Sequence, residues 1–268
     1  MSRLRSLGIA AAVSLALTPI VASVSSAAPG PAAVSVLHGI PGVPVDVYVN
    51  DALTLTNFLP KATAGPLELP AGAYAIKVFS HIDNPSASAA ARADAAVITK
   101  SVDVPADVNA SVIANFDNTG TPVLSVFVNN NSPTAAGKAR VTVRHTADAP
   151  TVDIQVNGAD ALPNLVYGAE ASAELPAGSY DFAVQVSPDG PIAIDIPGVT
   201  LVAGQHLVVY AIGQASPPVP SNAAQAIGTL DVITQPFTVG QVAPSTTFAP
   251  ATPAPTTRIP VVNPAFTG

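Results

Sequence analysis

The chain spells one unit twice, and this constrains its fold more than any bulk property does. HGIPGVPVDVYVN begins at His38 and HTADAPTVDIQVN at His145. His38 thus maps onto His145, Asp46 onto Asp153 and Asn50 onto Asn157, each 107 positions on. LPAGAY (Leu69–Tyr74) returns as LPAGSY (Leu175–Tyr180) at a spacing of 106, and VLSVF (Val123–Phe127) returns as TLDVI (Thr229–Ile233) at the same spacing. Between them, the stretch around Val108 matches that around Leu207 at about 97. The drift locates two insertions. The first copy carries about nine extra residues after its Tyr74 strand, and the second regains them after Ile212. Each copy is of ordinary domain size.

Within each copy the local pattern is strand. In VDVYVN, Val45, Val47 and Val49 share one face while Asp46, Tyr48 and Asn50 share the other. Val152, Ile154 and Val156 repeat this against Asp153, Gln155 and Asn157. Such alternation, rich in β-branched residues, predicts half-buried strands. AYAIKVF and SYDFAVQV read the same way, each behind a Pro-Ala-Gly turn. Further strands are predicted at Val34–Leu37, Ala110–Asn115, Val123–Val128, Arg140–Arg144, Gln205–Ala211 and Leu230–Thr234. The fold expected is all-β: two tandem immunoglobulin-like or transthyretin-like antiparallel β-sandwich domains. The inserted Ser86–Ala96 stretch is assigned to loop.

The first thirty residues read as an address. Arg3 and Arg5 precede an apolar run from about Leu7 to Leu17, and Ser25 and Ala27 fit the small-x-small cleavage rule. Thr18 and Pro19 end the run short of the ~20 apolar residues of a membrane span, and no later stretch qualifies after signal removal. The expected division is a signal peptide at 1–27, a short leader at 28–33, repeat 1 at 34–130, a linker at 131–139, repeat 2 at 140–235, and a disordered Pro/Thr/Ala-rich tail at 236–268. The protein is expected to be secreted or associated with the cell wall. With no Cys in the chain, no disulfide braces the sandwiches. Charge is sparse, 10% of residues with a net charge of −7, and loss of Arg3 and Arg5 takes the mature chain to −9. That balance argues against nucleic acid, which demands a basic face.

The doubled motif and both LPAG turns resemble exported actinobacterial proteins carrying the domain of unknown function numbered 4397. The resemblance runs from about Val34 to Thr234. It departs in the second copy, where TADAPT replaces GIPGVP and Gln155 replaces Tyr48. It implies export, envelope association and a β-rich fold, and it implies no activity.

Two side-chain pairs remain as candidates for chemistry. His38 and His145 end core-facing rows, and Asp46 and Asp153 follow each of them eight residues on. A His–Asp couple can orient a general base, but catalysis also needs a nucleophile or activated water within reach. No G-x-S-x-G appears, and four His with no Cys give no metal-ligand spacing. The pairs therefore read as structural, with no cofactor, no metal and no enzyme expected. The alternatives are a secreted hydrolase or accessory subunit using His38/Asp46 or His145/Asp153, and an extracellular small-ligand scavenger, which requires a cavity. For binding to an unknown protein or envelope component, Tyr48 and Phe79 are the exposed aromatic candidates, with His81 and Asp83 on the inserted loop. The competing arrangement packs the two sandwiches together and buries that face.

Overall fold

The computed structural model describes residues 29–215 and 229–242. The expected signal peptide, most of the expected tail and most of the second-copy insertion lie outside these residues. The first sandwich comprises β1 (Ala32–His38), β2 (Val45–Val49), β3 (Ala52–Phe58), β4 (Thr63–Leu69), β5 (Gly72–Ser80), β6 (Ile98–Val104), β7 (Asn109–Phe116) and β8 (Pro122–Val128). The second comprises β9 (Lys138–His145), β10 (Val152–Val156), β11 (Ala159–Leu165), β12 (Glu170–Pro176), β13 (Gly178–Val186), β14 (Ile192–Leu201), β15 (Gln205–Ile212) and β16 (Asp231–Thr238).

The sheets run β4-β1-β7-β8 over β3-β2-β5-β6, then β12-β9-β15-β16 over β11-β10-β13-β14, so the two topologies are the same. In each copy one pair is parallel, β1 with β7 and β9 with β15, and the other neighbours are antiparallel. The β2–β3 hairpin turns on Asn50 and Asp51, and the β10–β11 hairpin on Asn157 and Gly158. All four have positive φ, the geometry of a tight turn matched to strand twist. Asn50 and Asn157 each accept a hydrogen bond from the neighbouring strand, from the N–H of Ala75 and of Asp181.

The period-2 valines face inward. Val34, Val45, Val47, Val78 and Val112 build the first core, and Val141, Val143, Val152, Ile154 and Val184 the second. A third apolar cluster lies between the sandwiches. There Leu37 and Ile113 meet Val208, Tyr210, Ile212 and Ile233, with Phe127 and Phe237 at the margin. The β1/β7 sheet of the first sandwich therefore packs on the β9/β15 sheet of the second, and β7 and β15 are buried on both faces.

Most polar groups in this interface are paired, as burial requires, Asn115 Oδ1 being a buried exception. Ser111 Oγ and Tyr210 Oη both donate to Gln235 Oε1 at 2.9 Å. Arg144, 1% exposed, donates to Asn129 Oδ1 (2.9 Å) and Tyr210 Oη (2.7 Å), while its guanidinium lies 4.5 Å from the Phe127 ring centroid. At one end Lys61 reaches Asp231 across the junction at 2.7 Å. Gln235 lies within β16, which continues through Pro236 and Phe237 to Thr238. The expected tail boundary at 236 is thus too early, because Pro236 hid the continuation of the strand predicted at Leu230–Thr234.

Candidate functional site

The two histidines occupy equivalent turns and make equivalent bonds. His38 Nε2 donates to the carbonyl of Val43 (2.9 Å) and His145 Nε2 to that of Pro150 (2.8 Å). Both rings are 1% exposed, and burial lowers the pKa of each. No hydrogen bond joins His38 to Asp46 or His145 to Asp153 among the described residues; the pairs are adjacent in pattern, not in contact. Asp153 instead accepts the backbone N–H of Asn164 at 2.7 Å, fixing the end of β11.

Asp46 is the centre of a different constellation. Its Oδ1 accepts from His81 Nδ1 (2.7 Å), Thr56 Oγ1 (3.0 Å) and the N–H of Asn57 (3.0 Å), and its Oδ2 from Arg92 Nη1 (2.9 Å). Burial alone would raise this carboxyl. The bonds from His81, Asn57, Arg92 and Thr56 outweigh it and hold the pKa at about 2. Arg92, whose side chain is 1% exposed, also binds Asp94 (2.6 Å) and the carbonyl of Ser80 (2.9 Å). Its guanidinium stacks over Phe79 at 4.6 Å from the ring centroid.

These contacts correct the expectation of an exposed aromatic platform. Tyr48 and Phe79 are 1% and 3% exposed, packed edge to face with centroids 5.3 Å apart. What covers them is the insertion of the first copy. It lays Ala89 and Ala96 on the rings, accepts a bond from Tyr48 Oη at the Ser86 carbonyl (2.6 Å) and drives Arg92 beneath. The loop is tied down at its other side by Asp51, which accepts from the Ser88 hydroxyl and the Ala90 N–H at the start of a short 3₁₀ turn, Ala89–Ala91. The sandwiches do pack together, but through the opposite sheet. His81 is half-buried against Asp46, and Asp83 faces solvent on the same loop.

The second copy shows why the aromatics are there. It has no insertion over this face, and the equivalent positions are Gln155 and Gln185, which bond each other at 2.6 Å. Among the described residues no group of three or more His, Cys, Asp or Glu side chains is placed to hold a metal ion, and no helix is long and apolar enough to cross a membrane.

Residues 32–155 match the family model described as Domain of unknown function (DUF4397). The match covers the first sandwich and enters β10, and it supports the domain family that the doubled motif resembles. Among curated proteins none matches the chain. Two solved structures are similar at a low level. One is described as the Bacillus anthracis TIE protein, at 12% identity over 69% of this chain with a TM-score of 0.21; this chain covers 34% of its length. The other is the fimbrial anchor protein Mfa2 from Porphyromonas gingivalis, at 9% identity over 79% of this chain and 100% of that one, again with a TM-score of 0.21. Likeness at this level carries nothing about what this chain does.

Proposed function

We propose that the protein is a noncatalytic, exported component of the cell envelope that acts as a stiff two-domain binding or spacer element. Export rests on the leader pattern around Arg3, Arg5 and Ala27. The observation that carries the mechanical reading is the sheet-to-sheet interface. Leu37, Ile113, Tyr210 and Ile212 exclude water, while Arg144, Gln235 and Ser111 are mutually satisfied within it. Inter-domain contacts that are large and apolar suppress relative motion, so two sandwiches joined this way present their loops at a fixed separation. The hydrolase alternative has no geometric support, since each His of its pairs is spent on a carbonyl and Asp46 on His81 and Arg92.

Sedimentation with isolated envelopes of the source organism tests this reading. Chains starting at Ala28 and ending at Gly268 or at Val242 are compared, the second end chosen because β16 and the strand bridge at Gln241 must be kept. Both are expected in the pellet if the sandwiches bind. Recovery of both in the supernatant contradicts envelope association.

A further inference from the structure

The two sandwiches share a topology but not a packing density. Between the sheets of the first lies a cavity of about 250 Å³, bounded by β1 and β7 on one side and β2, β5 and β6 on the other. The corresponding space around Ile154, Phe182 and Leu207 in the second holds about 20 Å³. Strand register explains the difference. Val47 and Ile76 of the first copy stand where the second has Ile154 and Phe182, and Val104 stands where it has Leu201. Ala110, packed in the same core, stands where it has Leu207. Edge positions run the other way, Phe58 for Leu165, Leu67 for Ala173 and Leu124 for Val232, and they do not refill the centre.

We propose that this cavity is a binding site for one uncharged, unbranched hydrocarbon chain. Its only polar lining side chains are His38, Thr54 and Tyr74, and each is already bonded, to the carbonyls of Val43, Ala52 and Pro70. Water needs two to four polar partners to occupy such a space, and apolar cavities of comparable size stay dry and take apolar ligands. Lining residues extend from Val34 to His38 along β1, about 13 Å at ~3.3 Å per residue. A volume of about 250 Å³ confined between two apolar sheets has room for one alkyl chain. Thr54 on β3 and Leu67 and Leu69 on β4 line it from the two edge strands and are exposed or half-buried, so entry is along that seam. In the second sandwich the equivalent strands β11 and β12 approach each other more closely. The site goes beyond the envelope reading and stands or falls separately from it.

Isothermal titration with 1-decanol, together with its effect on Tm, tests the site. The wild-type protein is expected to bind one decanol and to melt higher in its presence. Ile76→Phe alone, and the triple variant Val47→Ile/Ile76→Phe/Val104→Leu, import the second copy's side chains. Each is expected to weaken binding at least about tenfold without lowering Tm in the absence of ligand; the single variant carries the test if the triple one does not fold. Flotation with phosphatidylcholine vesicles then separates the sources. Flotation lost in Ile76→Phe assigns the chain to a lipid tail, and decanol binding without flotation assigns it to a free aliphatic molecule. Absence of decanol binding by the wild type, or undiminished binding by the filled variants, overturns the proposal.

Discussion

Single residues here are chosen for what burial does to them. His206 is 1% exposed on β15, with Nε2 bonded to Thr142 Oγ1 at 2.8 Å, and it lies beside Phe237. Burial, then the nearby Arg140 charge, lowers its pKa to about 4. The folded state thus binds the proton less readily than the unfolded state. Stability is complete above the ordinary value of 6.5 and is lost as pH falls towards about 4, with a slope of up to about 1.4 kcal/mol per pH unit for each such ring. His38 and His145 are lowered in the same direction by burial and add to the slope. Asp46 acts in a lower window, since its stabilisation is present above 3.8 and disappears as pH falls through about 2. Urea titrations at pH 7, 6, 5 and 4.5 are expected to show a steady decline, shallower in His206→Gln. A flat profile contradicts the buried-neutral assignment. The sequence placed His38 and His145 at the ends of core rows, but His206 aligned with Asn109 and carried no repeated signal. Its neighbours Thr142 and Phe237 lie on other strands, which no local pattern reports.

At the level of elements, legibility followed position in the sheet. The eight central strands, β1, β2, β5, β7, β9, β10, β13 and β15, show apolar alternation or apolar runs and were all readable. The strands that escaped are β3, β4, β6, β11, β12 and β14, and every one is a sheet edge. Edges bury less, and Pro66, Pro163 and Pro197 sit in three of them, where a missing N–H costs no central ladder bond. The insertion was visible too, as were the aromatics at 48 and 79, but as separate facts. The structure makes each the reason for the other: Arg92 and the two alanines cover an aromatic pair, and where the cover is missing the pair is Gln. Arg92→Ala leaves Asp46 buried with one fewer counter-charge, at an expected cost of about 3 kcal/mol. Arg92→Lys is expected to recover only part of it, because one ammonium cannot bridge Asp46, Asp94 and the Ser80 carbonyl while stacking on Phe79. Chemical denaturation measures both, and a loss below about 1 kcal/mol for the Ala variant would show that the insertion is held by other contacts.

Across the whole molecule, two sandwiches of one topology pack through the outward faces of two of their sheets. In β7 the residues out of phase with the core are Ser111, Ile113 and Asn115; in β15 they are Val208, Tyr210 and Ile212. In the sequence they only alternate with the core residues, and the run of apolar residues on both phases of β15 is the hint that neither face is wet. Arg144 is one of only ten Lys and Arg residues in the chain, and it joins Asn129 and Tyr210 under the Phe127 ring. The central claim, that two sandwiches behave as one body, is tested most directly by differential scanning calorimetry of residues 29–242. The wild-type protein is expected to unfold in a single transition whose calorimetric and van't Hoff enthalpies agree, and Arg144→Ala to resolve it into two. Two independent transitions in the wild type, unmoved by Arg144→Ala, would contradict it.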